Sequence, residues 1–192
     1  MKHVLVLNGH PDPDSGTLTH ALARAYQQGA EEAGCMVRHI DVGGIDFPLL
    51  RKAEEFGTEP SQEAIVHAQD AFLTADHIVI LYPLWLGGPP AMLKGYMEQV
   101  ARANFFLGKT GRGFPSGRLK GRSARIIVTM GMPALVYRLW YGAHGVKAFN
   151  RSILNLAGIR PVRTTLFGGI GMKPDRCAAM IEKVRELGRH VA

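Results

Sequence analysis

Cysteine is nearly absent from this 192-residue sequence, which holds only Cys35 and Cys177. Two thiols exclude a disulfide framework and make a reducing compartment, the cytoplasm, the expected location. No apolar run approaches the ~20 residues that span a membrane, so bilayer insertion is not expected. The first such run, Val4-Leu-Val-Leu7, is too short for the core of a secretory leader and passes straight into the turn-rich segment 8–16. Nucleotide fingerprints are missing too. No G-x-G-x-x-G follows this first apolar run, and Gly108-Lys109-Thr110 lacks the first glycine of a phosphate loop, where Ala103 stands. No metal site is expected.

The largest absence is of negative charge. From Gln99 to Lys173 there is no Asp or Glu, against 13 Lys and Arg, whereas residues 1–98 carry 13 acids and 6 bases. The net charge of +7 therefore sits in one part of the chain. Such a division points to one face that meets an anion and argues against a uniform basic coat. Nucleic acid is not the expected anion. The cluster Lys109, Arg112, Arg118, Lys120, Arg122 and Arg125 has only Phe114 as an aromatic companion and matches no binding motif.

What is present is enough apolar residue, 46% of the chain, to bury one core, and residues 1–192 read as a single domain. Strands are expected at 3–8, 36–41, 77–82, 125–130 and 162–167. Helices are expected at 17–33, 61–74, 91–103, 146–156 and 174–191. The first helix would carry a stripe of Leu18, Ala21, Leu22, Ala25, Tyr26, Ala30 and Ala33. Alternating strands and helices describe an α/β fold with helices on both faces of a parallel sheet. Continuous apolar runs at Val4–Leu7, Ile78–Leu81 and Ile126–Val128 suit central strands, and the mixed segments 36–41 and 162–167 suit edges. That assignment agrees with the doubly wound, flavodoxin-like five-stranded order 2-1-3-4-5. Segments 42–60 and 104–121 stand outside the alternation as long loops.

In such a sheet ligands sit beyond the carboxyl ends of the strands, where the order reverses. Three loops lie there. The first, segment 8–17, brings Ser15 and Thr17 to a helix start, which serves either as a phosphate site or as an ordinary N-cap. The second, Tyr82-Pro-Leu-Trp-Leu-Gly-Gly-Pro-Pro90, offers a flat Trp surface and free backbone donors to a planar ring. Equally, Trp85 could cap the core ahead of a helix. The third, Thr129-Met-Gly-Met-Pro133, is followed by Tyr137 and His144, both able to donate a proton or stabilise an anion, or to serve as a buried Tyr and a helix cap.

Together the three loops resemble one family, the flavodoxin-like NAD(P)H:quinone oxidoreductases, which include the bacterial drug-activity modulator and potassium-efflux ancillary flavoproteins. The most specific part is Tyr82-Pro-Leu-Trp85 with Pro90-Ala-Met-Leu-Lys-Gly95; Gly9-His10, Ser15, Thr129, Gly131, Tyr137 and His144-Gly145 follow in the same order. The resemblance implies a flavoprotein, with FMN or FAD, that takes hydride from NAD(P)H and reduces a quinone-like acceptor by ping-pong transfer. It also implies a homodimer. It assigns the flavin's phosphate part to His10, Ser15, Gly16 and Thr17, the ring to Pro83, Leu84, Trp85 and Leu86, and the ring's rim to Thr129, Gly131 and Met132. Tyr137 and His144 become the catalytic pair, one residue further apart than is usual in the family. A flavin, azo or nitro reductase, or a non-catalytic flavoprotein acting as electron carrier or transport regulator, are the alternatives. On this reading the carboxylate-free stretch faces the phosphates of the nicotinamide nucleotide or an acidic partner surface.

Overall fold

The computed structural model describes residues 1–108, 117–171 and 176–191. Lys109, Thr110, Arg112 and Phe114, and the expected helix start at Pro174, lie outside the described residues. Five parallel strands, β1 (His3–Asn8), β2 (Met36–Asp41), β3 (His77–Pro83), β4 (Ser123–Thr129) and β5 (Val162–Phe167), form one sheet in the order β2-β1-β3-β4-β5. The expected order 2-1-3-4-5 is the one observed. Burial explains it. β1, β3 and β4 are buried almost throughout, whereas β2 and β5 alternate or open to solvent.

Side chains alternate across the sheet, so each central strand feeds two cores. Leu5, Leu7, Ile78, Ile80, Tyr82, Ile126 and Val128 pack on one face. There they meet α2 (Glu63–Thr74), α3 (Ala91–Val100) and α5 (His144–Phe149), which continues with π geometry over Asn150–Leu154. Val4, Val6, Val79, Leu81 and Ile127 pack on the other, against α1 (Leu18–Glu32) and α6 (Arg176–His190). α1 buries Leu22, Ala25, Tyr26 and Ala30 as expected, but Ala33 is exposed and Ala23 and Gly29 join the buried set. Gly29 and Gly188 let the two helices touch backbone to backbone: a Cβ on Gly29 would lie 2.0 Å from the Arg185 carbonyl oxygen.

Two elements depart from expectation. A short helix, α4 (Ala134–Leu139), follows β4, and α5 begins at His144, ahead of the expected Val146. The loop 42–60 is held down by Arg102, whose guanidinium donates to the carbonyls of Glu55 and Glu59, both at 3.1 Å.

At the far end of the sheet His77 is 3% exposed, its Nδ1 2.7 Å from the Ser123 hydroxyl. Burial, reinforced by Arg125, Lys2 and Arg163, pushes its pKa down to about 4. The unfolded chain therefore binds the extra proton first, and stability falls as pH drops from about 6.5 toward 4. Urea titration should show this group costing about 2 kcal/mol between pH 7 and 5. In His77→Gln the acid-induced loss should shrink by that amount, and an unchanged pH dependence would show that His77 is not its source.

Candidate active site

The three loops meet at the carboxyl edge of β1, β3 and β4. Gly9 continues the sheet by donating its N–H to the Leu81 carbonyl at 2.7 Å. The His10 ring then lies edge-on to Trp85, 6.3 Å between centroids, which joins the first loop to the second. Thr19 and Thr129 place their hydroxyls 3.4 Å apart and join the first loop to the third.

Within the first loop the aspartates shape the chain. Asp12 accepts from the Asp14 N–H at 2.9 Å, and Asp14 accepts from the Gly16 N–H at 3.0 Å. Ser15 and Gly16 are exposed at the entry to α1. Thr17 takes the N-cap position, yet no side chain caps the helix and no acid stands in its first turn. The leading amides of α1 are thus left for an anion. The Thr17 hydroxyl is instead 2.7 Å from Nδ1 of His20.

The second loop is a tight hairpin. Trp85 and Gly88 exchange backbone bonds of 2.9 and 3.0 Å, and Leu86 and Gly87 between them both have positive φ, +48° and +83°. That is the type I′ geometry, with glycine at the second position, where it costs least. Pro83 ends β3, and Leu84 extends the pairing by donating to the Thr129 carbonyl at 2.8 Å. Trp85 is half exposed and Leu86 wholly so. The hairpin rests on the start of α5: a Cβ on Gly145 would sit 1.9 Å from the Gly87 oxygen.

Tyr137 holds that junction. Its hydroxyl donates to the Gly87 carbonyl at 3.0 Å and accepts from the Val146 N–H at 3.3 Å. Burial lifts its pKa, against the pull of the Val146 and Gly145 amides, so the phenol stays protonated in neutral solution. His144 is exposed at the first position of α5, its ring folded back over Gly142. In the third loop Thr129 is buried, and Gly131 has open space where a side chain would stand. Met132 accepts from Gly169 at 3.0 Å. The expected site residues therefore lie on these three loops or their flanking strand ends, within α4 (Tyr137), or at the head of α5 (His144).

A family model for the flavodoxin-like fold matches residues 2–191. The chain belongs to the flavodoxin-like fold family. It is 31% identical to an uncharacterized NAD(P)H oxidoreductase of Haemophilus influenzae, over 95% of this chain and 91% of the relative. It is 30% identical to an FMN-dependent NADH:quinone oxidoreductase of Ruegeria pomeroyi, over 59% of this chain and 63% of the relative. In structure it is similar to the NAD(P)H:quinone oxidoreductase of Methanothermobacter marburgensis, with TM-score 0.79, 21% identity, and 99% and 96% of the two chains covered.

Two features of this flavodoxin-like chain were not expected from its sequence. The first is a polar cluster behind the first loop, buried at Asn8 and His20 and open to solvent at Asp41. The parallel register sets Asn8 beside Asp41, and the buried Asn8 amide donates to the Asp41 carboxylate at 2.7 Å. His39 Nε2 lies 3.2 Å and His20 Nε2 3.8 Å from the same oxygen. Burial works against the Asp41 charge, but Asn8, His39 and His20 hold the carboxyl below its ordinary range. The spacing Thr17-x-x-His20 on one helix face was the available signal. The second concerns the basic stretch, which does not face the site as a block. Arg118, Lys120, Arg122 and Arg125 precede or open β4, at the opposite end of the sheet, where Arg122 donates to the Leu73 carbonyl. Arg138 and Lys147, on α4 and α5, are the bases of the stretch on the helices that frame the site.

Proposed function

We propose that the chain is a flavin-dependent oxidoreductase that binds FMN, takes electrons from NAD(P)H and reduces a quinone or similar acceptor. The observation that carries this reading is the convergence of an uncapped helix start and a Trp-bearing hairpin at one sheet edge. One can take a phosphate and the other the face of a flat ring, and the names of the relatives agree. Held by these loops, FMN would supply the two-electron chemistry that links the nicotinamide to the acceptor.

The chain's own residues do the rest. Ser15, Gly16, Thr17 and the first amides of α1 hold the phosphate, with His10 closing the loop against Trp85. Pro83, Leu84, Trp85 and Leu86 support the ring through the hairpin, and Thr129, Gly131 and Met132 line its rim, where the bare Gly131 lets it approach. Tyr137 keeps hairpin and α5 in register and stays protonated beside the site. His144, exposed at the head of α5, is placed to stabilise negative charge that develops there. The groove between α3 and α5 supports a homodimer. Cavities of about 470 and 560 Å³ share Lys94, Ser152 and Ile153 and are walled by Met97, Leu156 and Phe149.

Incubated with FMN and desalted, the protein should be yellow, and NADH or NADPH should bleach it when oxygen is excluded, with colour returning on addition of a benzoquinone. A protein that retains neither FMN nor FAD would sink the proposal. At saturating FMN, Tyr137→Phe and His144→Ala should lower turnover by about tenfold or more. Unchanged turnover in both would remove the pair from catalysis.

A further inference from the structure

We propose that His20 is a proton-operated switch for the phosphate anchor: neutral, it claims the Thr17 hydroxyl's only proton; protonated, it turns that proton outward to a phosphate at the start of α1. The proposal rests on the flavin reading and concerns how this chain grips the phosphate.

The carboxylate beside the ring assigns the direction of its one hydrogen bond, to Thr17. The His20 ring, 4% exposed, lies between Thr17 Oγ1, 2.7 Å from Nδ1, and Asp41 Oδ1, 3.8 Å from Nε2. A nitrogen that faces a carboxylate carries hydrogen, so in the neutral ring Nε2 is protonated and Nδ1 presents a lone pair. Thr17 must then donate to His20. A hydroxyl has one proton, so Thr17 turns only acceptor lone pairs toward an incoming anion, which repel it. Protonation at Nδ1 reverses the bond. His20 donates to Oγ1, the Thr17 proton is released toward the phosphate, and the imidazolium lies between that anion and Asp41.

The loop needs such a device because it has no fixed cation. Segment 8–17 contains Asp12 and Asp14 but no Lys or Arg. The groups that face His20 are Asn8 of β1, Asp41 and His39 of β2, His10 and Asp12 of the first loop, and Arg24 on α1 itself. Burial, with His10 and Arg24, outweighs Asp41 and Asp12 and keeps the free ring neutral at pH 7. A bound dianion adds the charge that reverses the balance, so one proton is taken from solvent for each phosphate held. Riboflavin, which lacks the phosphate, takes none.

The test compares FMN with riboflavin on the whole chain between about pH 6.5 and 8.5, above the second ionisation of the phosphate near ~6. Affinity is read by flavin fluorescence quenching, and proton uptake by calorimetry in two buffers of different ionisation enthalpy. FMN affinity should fall by about threefold to tenfold per pH unit while proton uptake is near one, and level off where uptake ceases, while riboflavin affinity stays flat. His20→Gln, whose amide donates to Thr17 at every pH, should bind FMN with neither slope nor proton uptake. Thr17→Val should weaken FMN and leave riboflavin unchanged. A wild-type protein that binds FMN without taking up a proton overturns the switch, as does a slope that persists in His20→Gln. Binding of neither flavin at any pH overturns the flavin reading, and the switch with it.

Discussion

Gly145→Ala should weaken FMN binding by at least about tenfold in a protein that remains folded. Gly145 lies in the first turn of α5, and alanine is there the better helix former by about 1 kcal/mol, so local propensity predicts a gain. The contact predicts the opposite. A Cβ at this position would stand 1.9 Å from the Gly87 carbonyl oxygen and 2.8 Å from the Gly88 Cα, both backbone atoms that no rotamer change can move aside. The hairpin must retreat by more than an ångström, which breaks the 3.0 Å bond from Tyr137 to Gly87 and shifts Trp85 away from His10. A tenfold change corresponds to about 1.4 kcal/mol, the order of what a part-buried carbonyl loses with its hydrogen bond. Fluorescence titration gives the affinity and far-ultraviolet dichroism the fold. An FMN affinity equal to wild type would mean that the hairpin does not position the ring.

The second large effect falls on stability. Gly29→Ala should lower the unfolding free energy by about 2–4 kcal/mol, read as the urea midpoint at constant slope. Gly29 sits mid-helix in α1, where alanine again has the better propensity, but its Cβ would lie 2.0 Å from the Arg185 carbonyl oxygen. α1 and α6 would have to part, and with them the packing of Leu22, Tyr26 and Ala30 against Val184. The pairs from Glu32 to Arg185 and Arg189 lie at the surface and contribute little to resist this. Gly44→Ala is the control, since nothing lies within 4 Å of a Cβ there, and it should be neutral within about 0.5 kcal/mol. Equal stability of the two variants would show that the helix crossing relaxes at no cost.

Both predictions concern glycines whose close packing the sequence does not mark, although Gly145 belongs to the His144-Gly145 match. Gly145 and Gly29 have ordinary helical backbones, so no turn rule or positive φ singles them out; their importance lies in a partner far along the chain. Tyr137 is similar. Its place after the fourth strand could be read directly, but the two backbone groups that occupy its hydroxyl, at Gly87 and Val146, could not. α4 was missed for another reason: six residues make less than two turns, too few for a period to show.

By itself the sequence determined the sheet. A strand covered on both faces must be apolar at every position, and one at an edge need not be, so composition alone sorted β1, β3 and β4 inside β2 and β5. The order then placed three loops at one edge, and with them the candidate site. Only the tertiary structure decided what those loops do to each other, because hydrogen bonds and close backbone contacts between distant segments leave no local period. It tied Thr17, His20 and Asp41 into one chain of contacts. It also divided the carboxylate-free stretch from Gln99 to Lys173: among the described residues its bases fall at both ends of the sheet, although in the linear sequence they form one block.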